Sequence, residues 1–257
     1  MTAAPRGTLS PMPVPVRWVH AFVDVPAEQA GAATAFWSAV TGWPVGEPWS
    51  GHPEFTSLEP PAGTSYLHVQ RIGGAPRVHL DLLGDVEREP ARLTDLGATP
   101  GDRGNGWRVM TSPGGLLFCV CGEAGPHERP AAVVRPGGHR GRLVQVCIDV
   151  PAERFDTELD FWRAATGWAD EPVDAPEFTR LVHRAESPVQ LLVQRLGSDD
   201  GGTRARAHLD LGTDDVAAEA ARAVSLGAPV LRRGEGIVVL EDPVGLPFCV
   251  TANDPER

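Results

Sequence analysis

The apolar and polar positions of this chain change rhythm in a set order, and that order occurs twice. RWVHAFVDV (Arg17 to Val25) alternates with the period of two that a strand produces, and the proline after it, Pro26, bars its extension. In the second half Phe155, Leu159 and Trp162 fall at i, i+4 and i+7, one apolar helical face, and Gly167 is placed to close that helix in the left-handed conformation. Gly42 holds the same place in the first half. A later helix is predicted between a cap at Asp214 or Asp215 and Gly227. Its counterpart in the first half contains Pro90, which predicts a shorter or later-starting helix. Short strand-like runs bounded by turn residues account for the rest.

Laid over each other, the halves match along nearly their whole length. RWVHAFVDVPAE at Arg17 pairs with RLVQVCIDVPAE at Arg142, and AFWSAVTGW at Ala35 with DFWRAATGW at Asp160. LHVQR at Leu67 pairs with LLVQR at Leu191, VHLDL at Val78 with AHLDL at Ala207, and PGGLLFCV at Pro113 with PVGLPFCV at Pro243. The expected organisation is a flexible, proline-rich tail over residues 1–16, a first domain over 17–121, a linker over 122–141 and a second domain over 142–252. The linker is rich in glycine and proline and has no apolar periodicity, so it is expected to be exposed.

Composition narrows the classes of function. At 257 residues and 42% hydrophobic content the chain can bury two ordinary cores without disulfides. Thirty-four acidic against 23 basic residues give a net charge of −11, which repels phosphate backbones and anionic lipid, so neither nucleic acid nor membrane is an expected partner. The amino-terminal stretch lacks the apolar core of about 7–15 residues that a secretory signal carries. The four cysteines lie inside strand-like runs and form no paired framework, which fits a reducing, cytoplasmic setting. No glycine-rich phosphate loop or Gly-x-Ser-x-Gly elbow occurs, so nucleotide and hydrolase chemistry have no support.

Strand, helix and three strands, repeated within each half, together with FWxxxTGW after the first strand and a terminal PxGxxFCV strand, resemble the vicinal oxygen chelate superfamily of glyoxalases, bleomycin-resistance proteins and dioxygenases. The resemblance implies an α+β fold of two tandem glyoxalase-like units, each a pair of βαβββ modules curled into a half-open barrel. It implies that cavity-facing residues of the first, fourth, fifth and eighth strands can hold a divalent metal. Strand alternation puts His20 and Phe22, His68 and Gln70, His79 and Asp81, and Cys119 and Cys121 on shared faces. The second-half equivalents are Gln145 and Cys147, Leu192 and Gln194, His208 and Asp210, and Cys249.

A dioxygenase iron needs two imidazoles and a carboxylate. The first half offers His20 and His79 as metal ligands, with Cys119 where the resemblance expects glutamate. The second offers only His208, flanked by Gln145 and Cys249. Asp81 and Asp210 are expected to be paired with donors such as Arg71 and Arg195, and the cysteines to be small fillers, since no His or Lys adjoins them in sequence. Trp49 and Trp107 have no aromatic counterpart in the second half and are candidates for ligand stacking.

Two readings follow. The first is a metal-free binder of a small apolar or aromatic molecule, its ligand-facing set being His20, Phe22, Trp49, His68, Gln70, His79, Trp107 and Cys119, with Gln145, Gln194, His208 and Cys249 in a more apolar second cavity. The second is a lyase, epimerase or dioxygenase that uses a divalent ion (Fe, Mn, Zn or Ni) in the first domain. In either case the units are expected to pack as an intramolecular pseudo-dimer, so that the chain is a monomer.

Overall fold

The computed structural model describes residues 16–171, 173–182 and 186–256; the expected tail lies, but for Val16, outside them. The first unit runs β1 (Val19–Pro26), α1 (Ala30–Thr41), β2 (Val45–Trp49), β3 (His52–Leu58), β4 (Leu67–Ile72), β5 (Arg77–Leu83), α2 (Glu89–Asp95), β6 (Thr99–Gly104), β7 (Trp107–Thr111) and β8 (Leu117–Cys121). A two-residue strand, β9 (Val133–Val134), precedes the second unit. That unit runs β10 (Arg140–Val150), α3 (Phe155–Thr166), β11 (Ala169–Glu171), β12 (Phe178–Val182), β13 (Gln190–Arg195), β14 (Arg206–Thr213), α4 (Val216–Ser225), β15 (Val230–Gly234), β16 (Ile237–Glu241) and β17 (Pro247–Thr251).

Each unit is one open, curled sheet. The orders are β2-β3-β4-β1-β5-β8-β7-β6 and β11-β12-β13-β10-β14-β17-β16-β15, so each four-strand half of a sheet is one βαβββ module and the modules join along an antiparallel central pair. The α+β architecture of paired modules is therefore the one expected. The helix differences are as expected too. Asp215 caps α4 by accepting from the backbone N–H of Ala218 at 2.9 Å, whereas α2 begins with Pro90 in its first turn and lasts only seven residues. Gly42 and Gly167 close α1 and α3 at φ 74° and 68°.

Alternation decides which residues are core. Val19, Ala21, Val23 and Val25 of β1, Val78, Leu80 and Leu82 of β5, and Phe118 and Val120 of β8 all belong to one apolar cluster that continues through both units. The intervening positions point into the hollow of the sheet. Each long helix also reaches the other unit: Phe36 and Trp37 of α1 pack edge-on against Phe248 of β17, and Trp162 of α3 packs edge-on, with Phe161 tilted, against Phe118 of β8. The last carbonyls of both helices, which have no partner within their own helix, accept from an arginine of the opposite unit: Arg222 donates to Ala39 and Val40, and Arg92 to Ala164 and Ala165.

The segment read as an exposed linker is partly built into the fold. Arg135 is only 4% exposed, donates to the carbonyl of Thr41 at 2.8 Å and lies 3.5 Å from the buried carboxylate of Glu219, which His139 also meets at 2.7 Å. Val133 and Val134 pair with β10, which starts at Arg140, and His127 stacks on Trp18. Apolar periodicity misses such a segment because polar contacts, not an apolar face, hold it down.

Candidate functional site

In the first hollow the register places His20 opposite Asp81, Phe22 opposite both His79 and His68, and Asp81 opposite Cys119. Phe22 is stacked on His79 with ring centres 4.6 Å apart and lies 4.7 Å from the ring of His68. Trp49 stacks on Phe55, presents its edge to His68 and donates to Ser57. Trp107 stands across from Cys121 on β7, and Gln70 one row away beside Asp24. Thus the structure brings His20, Phe22, Trp49, His68, His79 and Cys119 together, with Gln70 and Trp107 at the margins.

Of the expected metal pair, His79 but not His20 belongs to a group of three potential ligand atoms within 4.8 Å of one another among the described residues. Nδ1 of His20 lies 2.8 Å from Nε2 of His68, and the other nitrogen of His68 meets Ser57 at 2.9 Å, so these two imidazoles serve each other. Burial lowers the pKa of His20 to about 4 and holds His68 well below the ordinary histidine range. His79 does something else. Its Nδ1 is 2.8 Å from Asp24, its Nε2 is 3.4 Å from Asp81, and Cys119 adjoins it. Burial opposes charge on this ring, yet Asp24, Asp81 and Cys119 together raise its pKa well above the usual value. The thiol of Cys119, hydrogen-bonded to Cys121 and against the opposition of burial, is lowered, with His79 assisting. Burial would raise Asp81, but the imidazolium of His79 lowers it.

The second hollow repeats the motif. Nδ1 of His208 is 2.8 Å from Asp149, Nε2 is 3.3 Å from Asp210, and Cys249 completes the group. Burial again works against the charged ring, and Cys147, Asp149 and Asp210 raise its pKa well above the ordinary range. Gln145 donates to Asp210 and accepts from Gln190 at 2.7 Å. Burial and Asp210 push the Cys249 thiol up to about 11, and burial raises Cys147 also. These groups form the floor of a cavity of about 720 Å³ whose walls include Phe178, Leu192 and Val239, and at which Arg180, Arg206 and Arg232 also stand.

Two expectations are corrected. The donors to Asp81 and Asp210 are His79 with Cys121, and His208 with Gln145; Arg71 and Arg195 occupy the opposite parity of their strands and instead meet Pro53 and Asp156. Cys119 has a histidine neighbour in space, supplied by the β5–β8 pairing, although none adjoins it in sequence. The floor of the second cavity carries Asp149, His208 and Asp210, as that of the first hollow carries Asp24, His79 and Asp81. The residues that sequence reasoning missed are Asp24 and Asp149. A signal existed: both stand four residues after His20 and Gln145, on the same strand face, in the matched segments VDVPAE and IDVPAE.

Among the described residues, the atoms able to hold an ion lie within 4.8 Å of one another in three groups: His79, Asp81 and Cys119; His208, Asp210 and Cys249; and Cys147, Asp149 and His208. Three ligand types, imidazole, carboxylate and thiol, thus converge at matching places in both units.

Comparison with known proteins gives the same frame. The model of the glyoxalase-like domain matches residues 20–121 and 145–251. No curated protein matches the sequence. Among solved structures, homoprotocatechuate 2,3-dioxygenase from B. fuscum superposes with a TM-score of 0.66 at 14% identity, covering 97% of this chain and 74% of that one. A 4-hydroxymandelate synthase mutant from Streptomyces coelicolor gives 0.60 at 15%, covering 95% and 94%. A xylose isomerase-like TIM barrel/4-hydroxyphenylpyruvate dioxygenase fusion protein gives 0.63 at 16%, covering 96% of this chain, which spans 50% of the fusion's length. Identities this low carry the fold and no activity. With the family model matched over both halves of a duplicated, curled sheet, the chain belongs to the glyoxalase-like domain family of the vicinal oxygen chelate superfamily.

Proposed function

We propose that the protein binds a small, partly aromatic molecule bearing a polar group in the hollow of its second unit. One observation carries this reading: a cavity of about 720 Å³, the size of a drug-like ligand site, has apolar walls that converge on a buried polar floor of Gln145, His208 and Asp210. The walls supply affinity by burial, and the floor supplies orientation, since a ligand group that fails to match those buried polar atoms leaves them unpaired. Arg206 and Arg232 favour an anionic substituent on the ligand.

The alternative, a dioxygenase-type iron in the first unit, finds poor support in the donors there. It requires two imidazoles and a carboxylate about one point, whereas His20 is engaged by His68 and Cys119 takes the place of the carboxylate.

The test uses 1-anilinonaphthalene-8-sulfonate, an aromatic anion. Saturable binding of one equivalent to the folded chain is expected, weakened at least tenfold in Leu192→Trp, which fills the hollow. Absence of saturable binding, or unchanged binding in the filled variant, removes the proposal.

A further inference from the structure

We propose that the cleft where the two units meet, beside the turn that joins β7 to β8, holds the phosphoryl group of a small phosphorylated molecule. It shares no lining residue with the second hollow, so the inference does not depend on a ligand there.

Both units build the cleft. Thr99 and Thr111, which face each other across β6 and β7, and Ser112 come from the first; Arg154, just before α3, and Thr203 and Arg204, on the loop before β14, come from the second. Its volume of about 640 Å³ is ample for a small organic phosphate. Two contacts fix the loop that carries Arg204. The N–H of Ala205 donates to the carbonyl of Gly114 at 2.8 Å, and the stem of Arg204 lies across Gly115, so close that a Cβ there would meet it at 3.2 Å. Only glycine, with φ of 99° and no side chain, leaves the arginine that room.

The donors converge with no acid among them. No Asp or Glu lines the cleft. Among the described residues Arg204 and the hydroxyls of Thr99, Thr111 and Thr203 have no hydrogen-bond or ion-pair partner, and Arg154 donates only to the Pro113 carbonyl, at 3.3 Å. The buried carboxylate of Glu158 lies behind Ser112, but its oxygens are already taken by Ser112, Gly114 and Trp162. Guanidinium and hydroxyl groups reaching in from two walls suit an anion that accepts on several oxygens at once, which a phosphoryl group does better than a carboxylate. The net charge of −11 does not forbid this, because exposed charges farther than about 8 Å away are largely screened at physiological ionic strength.

The duplication supplies an internal control. At the matching corner Gln29 stands for Arg154, Ala75 for Arg204 and Gly74 for Thr203, while Pro229, Glu241 and Asp242 stand for Thr99, Thr111 and Ser112. Both guanidiniums and every hydroxyl are gone, and two carboxylates have entered. Pro76, in place of Ala205, has no N–H to tie the loop down, and a Cβ on Gly245 would meet nothing where one on Gly115 meets Arg204. The Ser112 and Asp242 exchange goes with the buried indoles, each of which meets one carboxylate. Packing of the units calls for none of the other exchanges, since the twin corner closes without arginine or threonine.

Isothermal titration of the full-length chain with inorganic phosphate and with glycerol 3-phosphate tests the assignment. Each is expected to bind at one equivalent and to compete with the other. Arg154→Gln and Arg204→Ala, which install the twin's residues at exposed positions, should each weaken both by about tenfold or more, and Thr111→Glu should abolish binding. Near-ultraviolet circular dichroism checks that the variants keep the fold. Arg233→Gln, on exposed β15, should change nothing. Absence of saturable binding, or binding of phosphate with exclusion of glycerol 3-phosphate, overturns the proposal. So does a like loss in Arg233→Gln, which marks a general charge effect, or loss in Arg232→Gln with retention in Arg204→Ala, which puts the anion in the second hollow.

Discussion

Four histidines in the two hollows divide into two electrostatic kinds, and their neighbours explain why. His20 and His68 meet each other in a buried setting where burial outweighs the raising influence of Asp81 on both, and so holds both pKa values down. His79 and His208 each lie between two carboxylates, which outweigh burial. The signs are opposite in stability. A histidine whose folded pKa is about 4 instead of 6.5 contributes stability that is present above pH 6.5 and is lost as the pH falls toward 4, about 3 kcal/mol for His20. His79 and His208 contribute in full below pH 6.5 and lose that contribution as the pH rises through their raised folded values. Urea midpoints of EDTA-treated protein should therefore decline between pH 7 and pH 4.5, and His20→Asn should flatten that decline; an identical slope in the variant contradicts the assignment. Glu158 is a second residue whose role can be measured. Fully buried, it accepts from Ser112 at 2.5 Å, from the Trp162 indole at 2.8 Å and from the Gly114 N–H. Glu158→Ala leaves these donors unpaired and should cost about 3 kcal/mol in urea denaturation.

Helix ends carry the interaction between units at the scale of elements. Arg222 of α4 both pairs with buried Glu219 and caps α1, and Arg92 of α2 pairs with Glu89 and caps α3. The caps match, but the indole partners have moved. Trp37 donates to Asp242 of the opposite unit, while Trp162 donates to Glu158 of its own helix, which Ser112 of the opposite unit then meets. Each arrangement gives a buried indole one carboxylate, from a different element in each case. Arg222→Ala should lower stability by about 2 kcal/mol, because two helix carbonyls and a buried carboxylate lose a donor. Arg92→Ala should cost less, since Glu89 is more exposed than Glu219. Equal midpoints for the two variants would contradict this ordering.

Taken as a whole, the molecule has one apolar cluster running through both units rather than two separate cores. Each sheet covers its convex side partly with the other unit's helix, so neither half carries its own complete cover. Expressed apart, residues 16–121 and 140–256 should aggregate or associate through the faces that Phe36, Trp37, Phe161 and Trp162 leave bare, and mixing them should restore a species of full-chain mass. The intact chain should be monomeric by light scattering, because these faces are already covered from within. A stable, monodisperse isolated half would contradict the shared core.

The duplication, the strand and helix order, the closing glycines and the short α2 were all legible in the sequence, because periodicity, proline and glycine act over a few residues at a time. Alternation also separated hollow from core correctly along β1, β5 and β8. What only the tertiary structure decided was which hollow-facing residues meet. His20 turned to His68, Asp24 and Asp149 came behind His79 and His208, and Cys119 gained a histidine, because those distances depend on strand register between segments some 40 to 60 residues apart. Arg135 was hidden for a related reason: a buried charge is held by partners distant in sequence, and no local pattern records them.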